Sequence, residues 1–166
     1  VDAASRDRAQ RRRAMLALRQ QRKAESAEAR RLGALLCDQG IRWVRVPPPQ
    51  VRALLGTKLA APAIDERFDW QRIPGATIRH WQSSDEARQL VAAALEHFAA
   101  PDERITMVFH THESGLRLKA MDLAANLASI LPALREFWLA GEDQPWLIDY
   151  NAADRELCFC AAMPGC

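Results

Sequence analysis

Apolar and polar positions alternate along this chain in two rhythms. In "SSDEARQLVAAALEHFA", residues 83–99, Leu90, Val91, Leu95 and Phe98 recur at helical spacing and share one face. Ser83 and Glu86 stand at the spacing of a capping box, in which each side chain accepts a backbone N–H of the first turn. In "RITMVFHTH", residues 104–112, the period drops to two. Ile105, Met107 and Phe109 then form one strand face, and Arg104, Thr106, Val108, His110 and His112 the other.

The same reading extends to the rest of the chain. Residues 4–38 predict one long helix, rich in alanine, arginine, glutamine and leucine, with Gly40 where a C-terminal stop belongs. "IRWVRV" predicts a short strand halted by prolines, and residues 48–60 a helix that starts on proline. "ATIRHWQ" predicts a strand, and "LKAMDLAANLASIL" a helix entered through a turn at Ser114 and Gly115. "REFWLAG", "PWLIDY" and "ELCFCAA" predict three final strands joined by polar turns. The order α-βα-βα-βα-βββ implies an α+β or α/β fold, a mixed β-sheet with helices packed on it. Residues 1–38 form an arm, and 39–166 a single domain ending in an antiparallel meander.

Charge divides the chain near the same place. The net charge is +2, yet residues 1–31 carry ten Arg and Lys against four Asp and Glu, whereas residues 32–166 carry thirteen against seventeen. Arg8, Arg11, Arg12, Arg19, Arg22, Lys23 and Arg30 fall within about a third of the helix circumference. Alanines occupy the opposite side, and only Leu32, Leu35 and Leu36 supply a docking stripe, so the end of the helix is expected to anchor. Twenty of the twenty-three cations are arginine, a bias that genome composition alone can produce.

Candidate chemistry is sparse. His110 and His112, with Glu113 or Asp122 as an oxygen ligand, could hold zinc at the end of a strand. The stretch resembles the JAMM-type metalloprotease motif over about thirteen residues, but Glu113 replaces its proline and Lys119 stands where its serine belongs. The spacing to Asp122 is also one residue short, so that family's chemistry is not carried over and no metal or other cofactor is expected. Ser114 reads as a helix cap and Cys37 as a packed thiol; no Gly-x-Ser-x-Gly and no glycine-rich phosphate loop occurs. Cys158 and Cys160 lie too far apart along one strand face for a mutual disulfide, and with Cys166 they lack structural-zinc spacing.

The carboxylates Glu142, Asp143, Asp149, Asp154 and Glu156 interleave with Trp138, Trp146 and Tyr150 in the C-terminal meander. An acidic sheet edge with aromatic anchors suits a basic protein partner. The leading expectation is therefore a non-catalytic cytoplasmic binding protein, of the immunity or antitoxin type, directed at a basic toxin. Another is non-specific nucleic-acid binding, with the arm's cations on phosphate. A zinc hydrolase at the histidine pair is the third. The alanine face is too small for membrane contact.

Overall fold

The computed structural model describes residues 12–13, 15–16, 30–58, 70–109 and 114–161. In chain order these form helix α1 (residues 30–38), β1 (Val44–Val46), α2 (Pro48–Lys58) and a 3-10 turn (Trp70–Arg72). Then come β2 (Thr77–His80), α3 (Ser84–Phe98), β3 (Arg104–Val108), β4 (Gly115–Lys119), α4 (Ala120–Ala125) and α5 (Leu127–Ile130). After a second 3-10 turn (Leu131–Ala133) follow β5 (Glu136–Gly141), β6 (Trp146–Asn151) and β7 (Glu156–Ala161).

The seven strands make one sheet in the spatial order β1-β4-β3-β5-β6-β7-β2, and every neighbouring pair is antiparallel. The fold is thus α+β, and the expected mixed sheet is corrected to a wholly antiparallel one. The crossovers that the βα alternation implied are nevertheless present. Antiparallel pairing across the sheet leaves β1, β2, β3 and β6 running one way and β4, β5 and β7 the other. So β1–α2–β2, β2–α3–β3 and β4–α4–α5–β5 each join strands of one direction, with an opposed strand always interleaved.

The strand β4 was not expected. "GLRLK" alternates Leu116 and Leu118 with Arg117 and Lys119, and it folds back on β3 in register Ile105↔Leu118 and Met107↔Leu116. The helix begins only at Ala120, so Ser114 does not cap it; the residue preceding α4 is Lys119, without a side-chain cap. Elsewhere the local signals hold. Ser83 Oγ accepts the Glu86 N–H at 3.2 Å, while Glu86 reaches back to the Gln82 N–H at 2.8 Å. Helix α1 ends where Gly40 turns to φ 70° and the Ile41 N–H donates to the Leu36 carbonyl at 2.8 Å, a Schellman closure. Leu32 and Leu36 are buried, so the anchor at the end of α1 is real. A continuous helix over residues 4–38 lies outside the described residues, apart from helical positions at 12, 13, 15 and 16.

Two cores sandwich the sheet. One face, carrying Ile105, Met107, Phe137, Leu139, Trp146, Ile148, Tyr150 and Leu157, is covered by α1, α3, α4 and α5. The other, carrying Val46, Val108, Trp138, Ala140, Leu147, Cys158 and Cys160, packs against Val51, Leu54 and Leu55 of α2 and against Trp70. Packing is close on the first face at Gly141, where an added Cβ would meet Trp146 Nε1 at 2.4 Å and Glu103 Oε1 at 2.6 Å. In α2, by contrast, Gly56 has nothing within 4 Å of the same position. Gly141→Ala is therefore expected to lower stability by roughly 1–3 kcal/mol through overpacking. Gly56→Ala should raise it by about 0.5–1 kcal/mol through helix propensity. Urea denaturation midpoints of the two variants check both signs.

Candidate anion-binding groove

Register places the polar residues of the α2 face in rows. Across the sheet, Val46, Gly115, Val108, Trp138, Asp149, Cys158 and Ile78 align, and this row lies in the α2 core. The next row holds Val44, Arg117, Thr106, Ala140, Leu147 and Cys160. Beyond it, Lys119 and Arg104 stand directly opposite one another. At this corner the cover of α2 ends: Val44 is 60% exposed, and Arg104 and Lys119 are exposed beside it.

What results is a groove of about 270 Å³ lined by Arg42, Trp43, Val44, Arg104, Arg117, Leu118 and Lys119. Like charges directly opposite on an antiparallel pair repel. Arg117 is held by Glu142, whose Oε1 also accepts the Thr106 hydroxyl at 2.8 Å. Arg42, Arg104 and Lys119 make no ion pair among the described residues, and neither Asp102 nor Asp143 of the adjoining turns reaches them. The lining itself thus carries four cations, of which Glu142 holds one.

Trp43 ties this corner to α1. Its Nε1 donates to the Gly33 carbonyl at 3.2 Å, with Cys37 Sγ at 3.4 Å. Gly33 is required there, since a Cβ would stand 2.7 Å from the indole. The helix that follows the arginine-rich segment is thereby fastened to the wall of the groove.

The residues singled out from the sequence are dispersed. Trp138, Trp146 and Tyr150 are at most 5% exposed and belong to the two cores, so none is a surface anchor. The strands β5, β6 and β7 are interior, and the edges of the sheet are β1 and β2. Glu142 and Asp143 sit at one end of β6, while Asp154 and Glu156 sit beyond its other end. Asp149 accepts the Trp70 indole N–H at 2.8 Å, Asp154 accepts from Asn151 at 2.7 Å, and Glu156 accepts the Cys158 thiol at 3.1 Å. These carboxylates thus take part in local structure rather than forming one patch.

His110, His112 and Glu113 lie outside the described residues, as do Arg8, Arg11, Arg19, Arg22, Lys23 and Cys166; Arg12 is exposed. Asp122 is half-buried in the first turn of α4, and among the described residues no group of three or more metal-ligating side chains converges. Sequence reasoning missed the groove because its cations come from three separate parts of the chain: Arg42 before β1, Arg104 on β3, and Arg117 and Lys119 on β4. The alternation in "GLRLK" was the signal that could have located it. Comparison with known proteins returned no matching family model, no matching curated protein and no matching solved structure.

The thiols differ in state. Cys37 is exposed, against the packing expected of it, and Cys158 and Cys160 are buried. Burial pushes the Cys158 thiol far above its ordinary value of 9.0, helped by its hydrogen bond to Glu156 and by the charges of Glu156 and Asp149. Burial also raises Cys160 and Tyr150. Groups whose folded pKa is raised give stability that is complete below the unfolded pKa and lost as pH climbs past it. The urea midpoint should therefore fall between about pH 8 and about pH 10. That fall should be smaller in the Cys158→Ala/Cys160→Ala variant, measured by tryptophan fluorescence.

Proposed function

We propose that this chain is a non-catalytic binding protein whose partner is the phosphate backbone of a nucleic acid. The observation that carries the reading is the directly opposed pair Arg104 and Lys119, flanked by Arg42 and Arg117 in an open groove. Uncompensated cations on neighbouring strands are stabilised by a polyanion that spans them. The arm adds Arg8, Arg11, Arg12, Arg19, Arg22 and Lys23 immediately before the helix that Trp43 fastens to the groove. Cations of the arm and cations of the groove would then track one backbone. Trp43 is half-buried and its indole N–H is engaged, so base readout is not its role, and the binding is sequence-tolerant.

Capture of a basic toxin by the meander, in the manner of an immunity or antitoxin-type inhibitor, has less to stand on. Its aromatic anchors are interior, and its carboxylates divide between two ends of the sheet.

Fluorescence anisotropy with a random-sequence DNA duplex at two salt concentrations tests the proposal. The full chain should bind, and Arg104→Gln/Lys119→Gln should weaken binding roughly tenfold and reduce the salt slope by roughly two. Equal affinity and equal slope in the double variant would remove the groove from the interaction. Absence of binding by the unaltered chain at low salt would remove the function.

A further inference from the structure

On the opposite face of the sheet, about 350 Å³ of open space lies between the first turn of α3, helix α5 with its 3-10 extension, and the β6–β7 turn. Close-packed interiors leave few voids larger than a water molecule, and small-molecule sites begin at roughly 300 Å³. Small side chains keep the space open: Ala87, Ala128 and Ala152 line it where larger aliphatics would fill it. Trp81 and Tyr150 form its aromatic wall, stacked at 5.0 Å and 8°, and Phe137 backs Tyr150 at 4.8 Å.

The polar groups are equally specific. Tyr150 is 5% exposed, lines the cavity, and its hydroxyl makes no hydrogen bond among the described residues. In α3, Ser83 Oγ takes the Glu86 N–H and the Ser83 carbonyl takes the Ala87 N–H. The N–H groups of Ser84 and Asp85, also on the cavity wall, are left without a partner among the described residues. Arg88 is neutralised by Asp85 at 3.1 Å. Arg155 makes no ion pair among the described residues, and its backbone is held at φ 54°, where its carbonyl accepts the Trp81 N–H at 3.2 Å.

We propose that this cavity binds a small carboxylate with an apolar or aromatic body. The body lies against Trp81 and Leu131, and the carboxylate meets Arg155, the free N–H groups of α3 and the Tyr150 hydroxyl. The site is on the face away from the basic groove and does not depend on the nucleic-acid reading.

The test is an NMR titration of the full chain with 3-phenylpropionate, following the Trp81 indole and the Ser84 and Asp85 amides. Phenylpropionamide serves as the uncharged control. Saturable shifts confined to this region are expected with the acid, at least about tenfold weaker with the amide. Two variants that keep the fold sharpen the reading. Arg155→Gly relieves the positive φ, and Tyr150→Phe keeps the ring stack; each should weaken the acid severalfold. No saturable shift with the acid overturns the proposal. So does equal binding of acid and amide, or affinity for the acid unchanged in both variants, since either outcome describes a plain apolar void.

Discussion

Covering two faces of a wide sheet with unequal material is the constraint from which the rest of this molecule follows. Seven strands at their usual spacing span about 29 Å, whereas one helix is only about 10–12 Å across with its side chains. Four helices lie on the first face, and that face is apolar from Leu118 to Leu157. The second has α2 and the Trp70 turn, which cover the central row from Val46 to Cys158 and, in the next row, Ala140, Leu147 and Cys160. Positions outside that strip must satisfy themselves with water or with each other. At one corner they are Arg104, Arg117 and Lys119; at the other they are Glu136, Asn151, Glu156 and His80. The groove is thus what an uncovered corner becomes when its strands carry cations.

Much of this architecture was legible because its causes are local. The Ser83–Glu86 cap, the apolar stripe of α3 and the glycine stop at residue 40 depend on nearest neighbours, and each stands where the pattern put it. Pairing was less legible, because antiparallel and parallel neighbours draw on the same alternation. The alternation of strand and helix led to the expectation of a mixed sheet, but the unforeseen β4 reverses the chain before α4, and β5 returns antiparallel to β3. Only tertiary competition for strand partners decides that. In "GLRLK" a helical and an extended pattern coincide for a few residues, and the hairpin with β3 resolves the ambiguity by burying Leu116 and Leu118.

The tryptophans show a different limit. Alternation along "PWLIDY" puts Trp146, Ile148 and Tyr150 on one side of a strand and Asp149 on the other, as the sheet does. It could not say that both sides would be covered. Trp138 and Asp149 are cross-strand neighbours on the second face, and the covering Trp70, 79 residues away in sequence, donates to that carboxylate. A polar residue on a strand therefore marked an engaged interior position, not an exposed edge. The same reasoning explains why the groove escaped notice: Arg42, Arg104 and Lys119 share no sequence motif, and it is strand register that sets Arg104 opposite Lys119.

Net charge is a poor guide to such a surface. Residues 32–166 sum to −4, yet a ligand at the corner responds chiefly to charges within a Debye length of about 8–10 Å. The groove's own lining is cationic, and Glu142 beside it is engaged with Arg117 and Thr106. Other carboxylates, such as Asp85, Glu86 and Asp154, stand in turns and helix ends away from it. In the nucleic-acid reading, the arm and the groove are two weak phosphate sites on one chain. Because both belong to one chain, the second engagement would be intramolecular, and its effective concentration would add to the strength of binding.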